Sequence, residues 1–245
     1  IYPVFQPIVD LQNGNVVAYE SLSRIENKNI DINIEELFCL AEAYGCVWKL
    51  EKLCRDKALK ASMNKPSGTK IFLNVDGQIF QDSNFISGFT NRKLEKFGLS
   101  NEDIVFEITE RTDIENYVLL QAIMNHYIDQ GYQIALDDVG AGYSGLNRVV
   151  NTTPNYLKDD IELVRNIHLS KSKQSMMKLL VEYCDEMGLK LVAEGIETQE
   201  ELECICNLHV HYGQGYYLGL PDCKFNGISS QALQYLMNIH GMIKT

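Results

Sequence analysis

Apolar and polar residues follow two periods along this chain, and the switches between them mark its elements. Residues 4–9 and 16–22 are β-leaning runs. Between them, Gln12-Asn13-Gly14-Asn15 holds an Asn-Gly pair, a strong hairpin signal. Residues 34–43 and 47–63 space their apolar positions three and four apart, which predicts helices. Residues 71–75 form a short apolar run with polar flanks, the pattern of a buried strand. Similar runs recur at 104–108, 133–136, 156–157, 190–193 and 212–218, with helical stretches around 117–129, 173–187, 199–208 and 229–242. Strands alternating with helices imply a parallel sheet with helices outside it. The opening hairpin turns one strand round. The predicted fold is therefore α/β: a modified TIM (β/α)8 barrel with one antiparallel strand near the N-terminus.

Length agrees with that picture. The 245 residues are close to the roughly 250 of one complete barrel. Two small domains would also fit, but no Pro/Gly/Ser-rich linker, internal repeat or low-complexity segment divides the chain, so residues 1–245 read as one domain. Charge narrows the partners. With 22 Lys and Arg against 33 Asp and Glu, the net charge is −11. That balance argues against broad binding to duplex nucleic acid or an anionic membrane, which calls for a basic footprint. So acidic a protein handles phosphates through metal ions or a few placed arginines.

The seven cysteines are an odd number in a chain too large to need stapling. They fall mostly in apolar helical patterns and read as buried free thiols in a reducing, cytoplasmic setting. No apolar run approaches the ~20 residues that span a bilayer. The chain opens Ile1-Tyr2-Pro3, without a Met or a signal-peptide pattern, and reads as a domain excised from a longer protein. A sensor or a membrane anchor would lie in the missing segments.

The chemistry sits at the strand ends. Glu20, Asn74, Glu107, Asp137, Asp138, Lys158, Glu194 and Gln214 each lie at or near the C-terminal end of a predicted strand. In a barrel those ends converge on one face, where catalytic residues gather. Carboxylates this close raise one another's pKa and need a counter-charge. Hard divalent cations with oxygen ligands supply one. Any single acidic strand end is ordinary; the whole set at successive ends is not.

The same residues resemble the EAL domain family. Gln6-Pro7-Ile8-Val9-Asp10-Leu11 and Glu20-Ser21-Leu22-Ser23-Arg24 look like its opening, with Ser21 in place of the Ala of the family's name. The resemblance continues through Asn74, Phe106-Glu107-Ile108-Thr109-Glu110, 137–144, Lys158, 192–198 and Gln214-Gly215-Tyr216, in family order and spacing. It implies a phosphodiesterase that cuts cyclic di-GMP to linear 5'-pGpG with two ions, Mg²⁺ or Mn²⁺. By position, Glu20, Asn74, Glu107 and Asp137 would hold one ion, and Asp137, Asp138 and Glu194 the other. Lys158 would contact the attacking water, with Glu20 and Glu194 as its catalytic neighbours. Arg24 would grip a phosphate, Gln6 and Leu22 would line the ligand cleft, and Gln214 would support the water and ligand network. Glu110 and Glu197 would anchor the glycine-rich loop after Asp138. The resemblance also implies a homodimer and admits an upstream sensor or GGDEF-type domain.

Three positions depart from the family pattern. Val139 and Ala141 stand where Phe and Thr or Ser are usual, and Asp159 stands where an apolar residue is usual. Buried without compensation against the helix layer, the Asp159 carboxylate would be costly. At the strand end it would instead cap the following segment. Cys204, Cys206, His209 and His211 have ligand chemistry, but their spacing is not a common zinc pattern, and they read as packing and solvated side chains. No Ser or Cys stands at a recognisable nucleophile elbow. Two other readings stay open: a cyclic di-GMP receptor that binds without cutting, and a metallohydrolase for another phosphodiester.

Overall fold

The Asn-Gly turn behaves as its composition predicts. Gly14 takes φ 73°, its N–H donates to the Asp10 carbonyl at 2.8 Å, and Asp10 Oδ1 accepts from the Gln12 N–H at 2.8 Å. The turn joins β1 (Tyr2–Asp10) to β2 (Val16–Arg24) in an antiparallel pair with Gln6 opposite Glu20. The computed structural model describes residues 1–26, 32–82, 84–108, 117–139 and 149–239.

Six more strands follow: β3 (Lys70–Val75), β4 (Ile104–Ile108), β5 (Gln133–Val139), β6 (Tyr156–Asp159), β7 (Lys190–Ala193) and β8 (Tyr212–Gly213). They close into a barrel in sequence order. β2 to β8 run parallel, while β1 is antiparallel to both of its neighbours, β2 and β8. The expected modified barrel is the fold observed.

Among the described residues, helices α1 (Ile34–Ala43) and α2 (Val47–Ala61) follow β2. Asn33 starts α1 with a capping box closed by Glu36, satisfying donors that a helix start leaves free. Further helices span Tyr117–Ile128, Lys171–Met187, Gln199–Asn207 and Ser230–Ile239. Two helices were not anticipated: Asn91–Phe97 and the single turn Ile161–Val164. The first buries only Leu94 and Phe97, too few positions to establish a period, and ends at Gly98 with φ 68°.

β8 is shorter than the run 212–218 predicts. After Gly213 the chain turns away from the ladder to bond the segment after β7. The Ile196 N–H donates to the Gln214 carbonyl, and the Tyr217 N–H to the Ile196 carbonyl. Gly215 permits this, since a Cβ there would lie 2.2 Å from Ile196 backbone atoms. The main core lies between the barrel and its helices and includes Phe5, Leu59, Ile71, Phe106, Leu157 and Leu191. A second cluster fills the inside of the barrel.

Candidate functional site

That inner cluster is Ile8, Ala18, Phe72, Val105, Ala135, Tyr156 and Val192, with Tyr212 packed against it. Side chains on a strand alternate between faces, so the next residue facing the same way lies two positions on. Counted toward the mouth, those residues are Gln6 on reversed β1, then Glu20, Asn74, Glu107, Asp137, Lys158, Glu194 and Gln214. An apolar floor is thus overlaid by a polar ring.

Lys158 is the hub of the ring. Its Nζ lies 2.6 Å from Glu107 Oε1, 3.3 Å from Glu20 Oε2 and 3.8 Å from Asp137 Oδ1, and also in contact with Glu194 Oε1. Asn74 Nδ2 donates to Glu20 Oε1 at 3.0 Å, and Gln214 Nε2 donates to Glu20 Oε2 at 2.7 Å and to Gln6 Oε1 at 3.1 Å. Burial pushes Lys158 toward the neutral form, yet Glu107, Glu194, Glu20 and Asp137 together hold it well above its ordinary pKa. Burial raises Glu107 far above the carboxylate range, and the Glu20 charge adds to this. Glu194 is likewise raised, by burial first and Asp137 next, against the pull of Lys158. For Glu20 the balance reverses. Burial would raise it, but Lys158 and the hydrogen bonds from Gln214 and Asn74 hold it below the usual range. One ammonium cannot neutralise the whole ring.

From the ring a cleft of about 440 Å³ runs outward between the strand ends and the first two helices. Leu22, Arg24, Asn74, Asp137 and Asp138 line it, with Phe38 of α1 and Cys54 of α2. Arg24 is half-buried, and its Nη1 donates to the Ser23 carbonyl at 2.9 Å. Asp137 and Asp138 both reach the cleft although they are consecutive. The β5–β6 register slips between Leu136 and Val139, and Asp138 takes φ 54°, as at a bulge that re-aims a side chain. The sequence places this pair just after the strand; it lies within it.

The cleft also has a support that the sequence reading missed. Glu51 and Arg55 of α2 form a buried ion pair, and Glu51 Oε2 accepts from the Asp76 N–H at 3.1 Å, two residues past Asn74. Arg55 lies over the Phe106 ring at 4.9 Å. Burial lifts Glu51 to about 7 even beside Arg55. The available signal was the (i, i+4) charge pair on the apolar rather than the solvent face of α2.

The departures resolve unevenly. Asp159 does not cap the next segment, which Asp160 caps instead. Beside inward-facing Lys158 it faces the helix layer and is compensated at one oxygen only, since its Oδ2 is buried without a hydrogen-bonding partner. It is fully buried, and its Oδ1 accepts from the Glu194 N–H at 2.8 Å. Burial pushes its pKa well up. Val139 is buried in the core. Ala141, Glu110 and residues 140–148 lie outside the described residues. Glu197 is exposed, with its N–H taken by Glu201 Oε2 at 3.0 Å.

All seven cysteines are free, but only Cys184, which shares the buried face of its helix with Met177, Leu180 and Val181, is fully buried; Cys46, Cys54, Cys204 and Cys206 are half-buried, and Cys39 and Cys223 are exposed. Cys204 and Cys206 pack at the rim of the core, and burial pushes the Cys206 thiol up to about 12, away from the thiolate a metal needs. His211 is buried rather than solvated; its Nδ1 accepts from the Leu191 N–H at 3.2 Å and its Nε2 meets Asp185 at 2.9 Å.

The ring, by contrast, suits a metal. Glu20, Glu107 and Glu194 each offer an oxygen, all within 4.8 Å of one another. Glu107 Oε2 is buried without a hydrogen-bonding partner, and Asp137 Oδ1 and Glu194 Oε1 meet Lys158 only as ion pairs. An all-oxygen donor set with unused lone pairs fits a hard divalent cation.

Comparison with known proteins agrees in fold and family. The EAL domain description matches residues 1–221. Escherichia coli PdeG, a probable cyclic di-GMP phosphodiesterase, is 26% identical over 226 residues, covering 90% of this chain and 44% of PdeG. The chain therefore spans less than half the length of that relative. A cyclic di-GMP-bound standalone EAL protein of Vibrio cholerae O395 matches with a TM-score of 0.80 at 26% identity, over 94% of this chain and 96% of that one. The manganese and cyclic di-GMP complex of Klebsiella pneumoniae BlrP1 matches with a TM-score of 0.80 at 25% identity, over 93% and 57%.

Proposed function

Because the chain belongs to the EAL domain family, we propose that it hydrolyses cyclic di-GMP to linear 5'-pGpG with two divalent ions, Mg²⁺ or Mn²⁺. The observation that carries this reading is the ring itself: six of the eight residues proposed as metal ligands, water contact or support of the water and ligand network meet at one barrel mouth through Lys158 and Glu20. Those six are Glu20, Asn74, Glu107, Asp137, Glu194 and Gln214. The other two are Lys158, the hub, and Asp138, which joins them from the cleft wall.

Glu20, Asn74, Glu107 and Asp137 would hold one ion, and Asp137, Asp138 and Glu194 the second. Bound ions supply positive charge at the attacking and leaving oxygens and ease the ionisation of water. The protein's own groups do the rest. Asn74 and Gln214 fix the two oxygens of Glu20 by hydrogen bonds. Lys158, whose ammonium reaches the ring between the carboxylates of Glu20, Glu107 and Glu194, would contact the attacking water. Arg24, on the cleft wall, has the planar fork that grips a phosphate through two parallel hydrogen bonds. Leu22 lines the same cleft, and Gln6, bonded to Gln214 in the ring, would line the ligand space beside it. A 5'-phosphate product requires water to attack phosphorus and the bond to the 3'-oxygen to break, with a proton passing to that oxygen.

The same proposal takes residues 1–245 as one domain of a longer cytoplasmic or membrane-anchored protein that works as a homodimer, which light scattering would test. The catalytic reading is tested by incubating the purified chain with cyclic di-GMP and Mg²⁺ or Mn²⁺, then resolving nucleotides by chromatography. Formation of pGpG that stops on chelation is expected. Binding without pGpG would make the chain a receptor, and neither binding nor turnover would point to another phosphodiester.

A further inference from the structure

Lys158 occupies the place where a cation would be held. The three carboxylates whose oxygens converge within 4.8 Å, Glu20, Glu107 and Glu194, are all in contact with its ammonium. Asp137 completes the set at 3.8 Å. Among the described residues, no other cationic side chain stands within ion-pair distance of these carboxylates. The ammonium is 1% exposed, and it reaches the ring from the floor side, since Tyr156 directly below it on β6 belongs to the apolar cluster. The geometry leaves Lys158 as the ring's own counter-charge.

We propose that Lys158 is a built-in competitor of the divalent ion, so that metal enters this ring by exchange with the ammonium rather than by addition to free carboxylates. Without metal, Lys158 keeps the carboxylates together. With metal, the ammonium gives up its contacts with Glu20, Glu107 and Glu194 and is free to donate elsewhere in the site. The affinity for metal is thereby set lower than the carboxylates alone would give, because each ion must displace a buried charge-assisted hydrogen bond. This inference rests on the metal-site reading above.

The test is calorimetric titration of Mn²⁺ into metal-free protein without nucleotide, for wild type, Lys158→Met and Lys158→Gln. Removing the ammonium should tighten Mn²⁺ binding about tenfold or more, while lowering the thermal midpoint of the metal-free protein and not that of the Mn²⁺-saturated protein. Unchanged or weaker Mn²⁺ binding in both variants would overturn the exchange. Wild type that binds no Mn²⁺ at all would instead overturn the metal-site reading. A measurement on wild type covers variants that fail to fold. Titration with Mg²⁺, followed by side-chain NMR of labelled lysine, should move the Lys158 ammonium resonance in step with site occupancy. A resonance that stays fixed as the site fills would refute the displacement.

Discussion

The inside of this barrel holds two layers built on the same strands, and they obey opposite rules. In the lower layer Ile8, Ala18, Phe72, Val105, Ala135, Tyr156 and Val192 pack as an apolar plug. Two residues toward the mouth, Gln6, Glu20, Asn74, Glu107, Asp137, Lys158 and Glu194 face the same space with polar groups. Both layers are held by the same ladder of β1 to β8. The lower layer repays burial with dispersion and removal of apolar surface. The upper layer concentrates negative charge that burial disfavours. Stability belongs to the floor and chemistry to the ring. Substitutions in the two layers should therefore separate folding from function.

The largest separation is expected at Glu107. Glu107→Gln should lower pGpG formation by roughly 10²–10³-fold or more, in the range of losing one preorganised charged contact at a reacting centre. Burial already favours the neutral form of this side chain, and Lys158 keeps its contacts with Glu20, Asp137 and Glu194. The metal-free variant should consequently unfold at the same temperature as wild type or higher, as scanning calorimetry would read. A much lower midpoint would mean that the ring holds the fold together.

The converse change is in the floor. Phe72 is 1% exposed and packs edge-on against Tyr156, ring centroids 5.1 Å apart. Phe72→Ala should cost about 3–5 kcal/mol of stability in denaturant melts, yet leave kcat within a few fold at temperatures where the variant stays folded. Loss of activity without loss of stability would break the two-layer account.

The smallest effects are expected where the layers meet the strand ends, at Asp159. Its carboxylate accepts the N–H of Glu194. Asp159→Asn keeps an acceptor there, whereas Asp159→Leu leaves a buried N–H unsatisfied, at about 1–3 kcal/mol. Burial raises the folded-state pKa of Asp159. Its contribution is therefore fully present below the unfolded aspartate pKa of about 3.9 and is lost as pH rises from there through the raised folded value. Asp159→Asn should remove that part of the slope, flattening the metal-free stability profile above about pH 4. An identical slope in both proteins would place the titration elsewhere.

Much of this was legible in the residues. Runs such as Ile71 to Val75 and Ile104 to Ile108 mark strands by apolar content alone, and a polar residue near each strand end marks the mouth because alternation fixes its direction. What was not legible depends on contacts distant in sequence. The end of β8 follows from Gln214 and Tyr217 bonding Ile196 rather than a strand. The bulge that brings Asp138 to the cleft depends on a register slip against β6. Asp159 finds its partner just past the neighbouring strand, 35 positions on. The Glu51–Arg55 pair is buried only because Phe106, Trp48 and Tyr127 enclose it. Only the last leaves a periodic trace, an (i, i+4) charge pair on an apolar helix face, and its burial still depends on those distant rings.

The central claim is that the polar ring is a divalent-metal site whose resident cation is Lys158. Crystals grown with Mn²⁺ and analysed by anomalous diffraction test it most directly. The account predicts two manganese peaks, one touching Glu20, Asn74, Glu107 and Asp137 and one touching Asp137, Asp138 and Glu194, with the Lys158 ammonium withdrawn from the carboxylates. Crystals that show no manganese at the ring, with Lys158 still bonded to Glu20 and Glu107 at saturating metal, would contradict it.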